Sequence, residues 1–176
     1  MPFLTAALVL IGVLLAVDLI LTLGVIRRLR EHAELIAKAL QHGAAMEKTM
    51  LPVGSPLPEL SARTVSGAVA PDSGPLLIGF FSSGCPSCAL YLPGFVEYAE
   101  AFAGRVLAVA VGAPEEVREI VADLLPVADV VVEPYDGPLA TLLQVRGLPA
   151  MATVDTDGIV TATGYRATDL PSLATV

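Results

Sequence analysis

Tryptophan is absent from this chain, and cysteine and histidine occur only twice each. Both histidines, His32 and His42, precede residue 50, so residues 52–176 hold two cysteines and no histidine. A structural zinc site takes four Cys or His ligands, and one copy of that region does not supply them. Basic side chains are also scarce there, with five arginines against fourteen carboxylates. Such a surface disfavours nucleic acid as a partner. The acidity indicates solubility and identifies no substrate.

Charge is missing in a second place. Between Phe3 and Ile26 the only charged residue is Asp18. That run, FLTAALVLIGVLLAVDLILTLGVI, has 24 residues, and roughly 20 suffice to cross the hydrocarbon core of a bilayer. A cleavable signal peptide has a shorter apolar region, a basic start and a small-residue cleavage site. Here no basic side chain precedes the run, and bulky Ile26-Arg27-Arg28-Leu29 follows it. Residues 1–26 therefore read as a retained transmembrane anchor, with residues 3–26 in the lipid bilayer. Asp18 is costly in lipid unless neutral, paired or near the interface. A protonated or interface-reaching side chain and contact with a partner helix both satisfy it.

Residues 27–51 read as a helical stalk and linker. Leu29, Ala33, Ile36 and Leu40 share one helical face. Gly43 and then LPVGSPLP (51–58) end the helix. Residues 52–176 alternate strand and helix signals. LLIGFF (76–81), RVLAVAVG (105–112) and ADVVVE (128–133) are short apolar runs, as in strands buried on both faces. Helices are expected from about Cys85 to Ala101, over Ala113–Leu125, over Gly137–Val145 and from near Asp169. MATVDTDGIVTAT (151–163) reads as two strands around a turn. The pattern implies an α/β fold in which helices flank a mixed central sheet.

The two cysteines stand together in FFSSGCPSC, as Cys85-Pro86-Ser87-Cys88. Cys85 falls just past a buried strand, at the start of a helix. Unpaired N–H groups there favour negative charge, which suits an attacking thiolate. Cys88 lies one turn later, close enough to close a small disulfide ring. In this reading Cys85 attacks a substrate disulfide and Cys88 resolves the mixed disulfide. Three other readings are a metal shared between two copies, copper handling or assembly with the pair as ligands, and two inert packing residues. A copper-delivery domain would be expected to offer a downstream histidine, which is missing.

Over residues 52–176 the chain resembles the membrane-anchored thioredoxin-like proteins. That group includes cytochrome-maturation thiol-disulfide proteins and methylamine-utilisation accessory proteins. The strand and cysteine pair in LLIGFFSSGCPSC carry the resemblance, with Pro93 five residues after Cys88 and VRGLPA (145–150). It implies a thioredoxin-like fold and thiol-disulfide oxidoreductase activity without a bound cofactor. Pro93 would be the helix-kinking proline. Pro149 would lie against the cysteines with a cis Leu148–Pro149 bond, and the Leu148 backbone would pair with an extended substrate peptide. The expected partners are protein thiols or disulfides, with a membrane thiol protein as candidate electron donor.

Two departures stand out. Thioredoxins usually carry a tryptophan before the first cysteine, where this chain has Gly84. Many carry a buried acid six residues before it, where this chain has Gly79. Glu97 or Glu100 on the same helix could replace that acid or be solvated surface charges. Two indications of sidedness conflict. Arg27, Arg28 and Arg30 after the span favour a cytoplasmic domain by the positive-inside rule, whereas the resemblance points outward. The expectation is a single-pass protein of the cell membrane with an extracytoplasmic domain.

Overall fold

A computed structural model describes residues 49–71 and 74–173, together with Gly12. The chain divides into two compact units, Met1–Glu47 and Lys48–Val176. Apart from Gly12, the expected anchor lies outside the described residues, as does nearly all of the expected stalk. Among the described residues, no helix is long and apolar enough to cross a membrane.

The second unit is built on a five-stranded sheet. Its strands are β1 (Leu76–Ser82), β2 (Arg105–Val111), β3 (Asp129–Glu133), β4 (Ala150–Val154) and β5 (Val160–Gly164), in spatial order β3-β2-β1-β4-β5. β1, β2 and β3 run parallel, while β4 and β5 pair antiparallel beside β1. The central strand β1 is buried along its whole length, hence its continuous apolar run. Its alternation splits the core. Leu76, Ile78 and Phe80 face one cluster with Leu107, Val109 and Val111, and Leu77 and Phe81 face another with Phe95 and Ala108.

Helix α1 (Pro86–Ala101) covers the second face. Cys88, Leu92, Phe95 and Ala99 are its buried residues, at steps of four, three and four that form one stripe. Pro86 occupies the first turn, where its missing N–H costs nothing. Pro93 sits inside the helix and is exposed. It leaves the Ala89 carbonyl without the usual partner, on the side where water can serve.

Three expected helices are shorter than the sequence indicates. The second, α2, spans only Arg118–Leu124. Before it, the Glu116 carboxylate accepts the Ala113 N–H, and the Glu116 and Val117 amides donate to the Ala113 carbonyl. These bonds close a separate turn that positions the buried Val117. α3 spans Pro138–Leu142. Near the C-terminus there is a single 3-10 turn, Ala167–Asp169, after which Pro171 prevents continuation. The hairpin turn is held by the Asp155 carboxylate, which accepts the Asp157 and Ile159 amides, with Gly158 at φ 76°.

The domain starts before Leu51. Met50 and Leu51 are buried in the first cluster. The Leu51 amide donates to the Leu143 carbonyl, and the Arg146 amide to the Thr49 carbonyl. Residues 49–51 thus pack as domain rather than as linker.

Candidate active site

The cysteine pair sits where the C-terminal end of β1 turns into α1. Cys85 is the N-cap residue, with extended backbone (φ −110°, ψ 106°). Its sulfur accepts the Cys88 backbone N–H at 3.1 Å. Capping positions favour a side-chain acceptor because the first-turn amides have no partner inside the helix. The Cys85 thiol donates to the Leu148 carbonyl at 3.4 Å. Cys85 is partly exposed, whereas Cys88 is fully buried in the second cluster. Both are thiols in this structure.

Burial, followed by the hydrogen bond with Cys85, pushes the Cys88 thiol up to about 12. The backbone amide of Ser82 pulls in the opposite direction without reversing the outcome. The two sulfurs are therefore unequal. Cys85 is reachable and touches polar groups, while Cys88 stays protonated under neutral conditions.

The Leu148–Pro149 peptide bond is cis. Pro149 is buried ahead of β4, and Leu148 packs against both core clusters at the edge of the site. The Leu148 carbonyl thus meets the Cys85 sulfur, with Pro149 the next residue along the chain. Pro93 lies further along α1. Glu97 and Glu100 are exposed and stand nine and twelve residues beyond Cys88. At 1.5 Å of helical rise per residue they are roughly 14 and 18 Å away along the axis. They belong to the solvated face, and neither is a relay for Cys88.

Gly79 explains why no acid occupies the position six before Cys85. A Cβ there would lie 2.6 Å from the Phe95 ring and 2.8 Å from the Phe81 ring. Those rings meet edge to face with centroids 5.0 Å apart. The aromatic pair fills the volume a carboxylate would need.

Two neighbours of the site are missing from the sequence reading. Tyr135, in the loop after β3, shares a hydrogen bond with the buried Ser82 hydroxyl at the end of β1. A Cβ on Gly84 would lie 3.5 Å from the Tyr135 hydroxyl, so the ring reaches the residue before Cys85. Nothing local signals this contact, because 53 residues separate Ser82 from Tyr135. Among the described residues, no group of three or more His, Cys, Asp or Glu side chains is placed to hold a metal ion.

No protein-family model matches the chain, and no curated protein matches it. Solved structures do. The thioredoxin domain of a thiol-disulfide oxidoreductase from Bacteroides vulgatus superposes with a TM-score of 0.57 at 21% identity, over 68% of this chain and 93% of that one. A secreted disulfide oxidoreductase of Mycobacterium tuberculosis gives 0.52 at 22% identity, over 64% and 87%. A thiol:disulfide interchange protein of the thioredoxin family from Chlorobium tepidum gives 0.53 at 21%, over 67% and 92%. The chain has the thioredoxin-like fold, and these neighbours are thiol-disulfide oxidoreductases.

Proposed function

We propose that the chain is a membrane-tethered thiol-disulfide oxidoreductase that exchanges electrons with protein substrates through Cys85 and Cys88. One observation carries this reading. The partly exposed Cys85 sulfur caps α1 and accepts the Cys88 amide, while the second thiol is buried one turn below. The Cys85 sulfur is the one a substrate can reach, and the thiolate is the attacking form of a thiol. The Cys85 thiolate attacks one sulfur of a substrate disulfide, forming a mixed disulfide and expelling the other as a thiolate. Cys88 then loses its proton and attacks the Cys85 sulfur. The second substrate thiolate leaves, and the domain holds a Cys85–Cys88 disulfide. Two electrons have passed to the substrate, and the reverse sequence oxidises a dithiol. Leu148 and Pro149 form the wall against which the substrate backbone lies.

Removing the resolving thiol should trap the first intermediate. Full-length Cys88→Ala is expected to form a covalent complex with a disulfide-bonded protein, dispersed by dithiothreitol. Cys85→Ala is expected to form none. Equal capture by both variants would contradict the assignment of roles.

The tether rests on Phe3–Ile26, where 24 residues carry one charge. We place the domain outside the cytoplasm, as the family resemblance implies and against the pull of Arg27, Arg28 and Arg30. The full-length protein should stay with membranes in alkaline carbonate. Its domain should be digested by protease added outside right-side-out vesicles. Release by carbonate would refute the tether, and protection from protease would refute the sidedness.

A further inference from the structure

Tyr135 is an exposed aromatic residue whose hydroxyl lies by Gly84, the residue before Cys85, and the chain holds it firmly. It is 57% exposed, yet its hydroxyl is fixed on Ser82, whose own exposure is 2%. The backbone beneath it is pinned on every side. The Gly137 amide donates to the Pro134 carbonyl, closing a turn with Tyr135 at its first corner. Asp136 takes the second corner at φ 56°, a conformation unfavourable for most residues other than glycine. The Thr141 hydroxyl donates to the Asp136 carbonyl. The buried Glu133 carboxylate accepts the Leu139 and Ala140 amides at 2.9 and 2.8 Å, anchoring the helix that follows. A Cβ on Gly137 would strike that carboxylate at 2.6 Å, so glycine is needed to bring the turn this close.

Strained backbone that survives in a well-bonded frame points to function when it presents a group to a site. Here it presents an aromatic ring to solvent by Gly84, the residue before Cys85. Gly84, lacking a side chain, leaves the space open. A side chain at 84 would pack against Tyr135, because a Cβ already reaches 3.5 Å from its hydroxyl.

We infer that Tyr135 is a specificity-determining residue: its ring, with the gap at Gly84, receives an apolar side chain adjoining the cysteine of an extended substrate peptide held against Leu148. The inference rests on the exchange reading of the site. An occupant is required at this spot, since Cys85 can react only with a disulfide brought next to Gly84 and Leu148. A rigid aromatic face loses little entropy on contact and rewards apolar neighbours. Its hydroxyl stays bonded to Ser82, so the ring offers its face rather than a hydrogen bond.

The test uses two peptide–glutathione mixed disulfides that differ only beside the peptide cysteine, with Leu and Phe in one and Ser and Gln in the other. Release of peptide thiol in a single turnover of excess reduced full-length protein in detergent gives the second-order rate constant for each. Wild type should prefer the apolar peptide by about tenfold, the size of one good aromatic contact. Tyr135→Ala should cut that ratio to about two, and Tyr135→Phe, which keeps the ring, should retain most of it. An unchanged ratio in Tyr135→Ala would overturn the inference while leaving exchange intact, as would a loss in Tyr135→Phe as complete as in Tyr135→Ala. No reaction of wild type with either peptide would instead overturn the exchange reading, and this inference with it.

Discussion

At Gly79 and Phe95 a packing choice sets the chemistry available to Cys88. The ring occupies the volume that an acid at position 79 would need. Burial is the first cause that raises Cys88 to about 12 in the reduced domain, and it persists when Cys85 is tied up in a mixed disulfide, so in the proposed exchange loss of the Cys88 proton limits resolution. The rate of that step should rise with pH between 7 and 10, measured as decay of the mixed disulfide in stopped flow. A rate flat over that range would show a proton acceptor at the site. The same shift has a stability sign. The unfolded thiol ionises near 9.0, and the folded one near 12. Between those values the unfolded chain sheds its proton first, so the reduced domain should lose stability as pH rises through that window. Denaturant midpoints at pH 8, 9.5 and 11 check it, and an unchanged midpoint counts against a buried, protonated Cys88. Gly79→Ala places a Cβ 2.6 Å from the Phe95 ring. It should cost about 1–3 kcal/mol as overpacking, read by urea unfolding.

At the scale of elements, the strongest polar device is the Glu133 clamp on α3. A buried carboxylate satisfies two amides of a five-residue helix that is far too short to stand on propensity alone. Glu133→Ala leaves both N–H groups without their acceptor and should cost about 1–3 kcal/mol in urea unfolding. The exposed Arg105–Asp129 pair at 3.2 Å offers the contrast, and Asp129→Ala should fall within about 1 kcal/mol of wild type. The elements also separate what is legible in a sequence from what is not. The strands announce themselves because β1, β2 and β3 are buried nearly throughout, leaving uninterrupted apolar runs. The stretch from Ala113 carries a good helical start, yet Glu116 folds back on the Ala113 amide and delays α2 to Arg118. That competition between a side chain and the helical amides is invisible to periodicity. Cys85 and Cys88 are legible because their spacing and their place after a strand are local. Tyr135 and the Gly79–Phe95 contact are not, because each is made by residues brought together only by folding.

At the scale of the whole molecule, the sequence joins an apolar run with a single charge, Phe3–Ile26, to an acidic region over residues 52–176. The sheet order puts β1 at the centre, so the cysteines leave from its C-terminal end and meet the Leu148–Pro149 loop ahead of β4. This arrangement accounts for both sulfurs having different environments within three residues. The most direct test is a redox titration of the full-length protein in detergent. Glutathione and dithiothreitol buffers set the potential, alkylation counts free thiols, and zinc and copper are titrated in parallel. The account predicts that both thiols disappear together in one two-electron transition, with tenfold in the equilibrium constant per about 30 mV. Loss of the thiols one at a time, or a pair that binds metal tightly and never closes a disulfide, would contradict it.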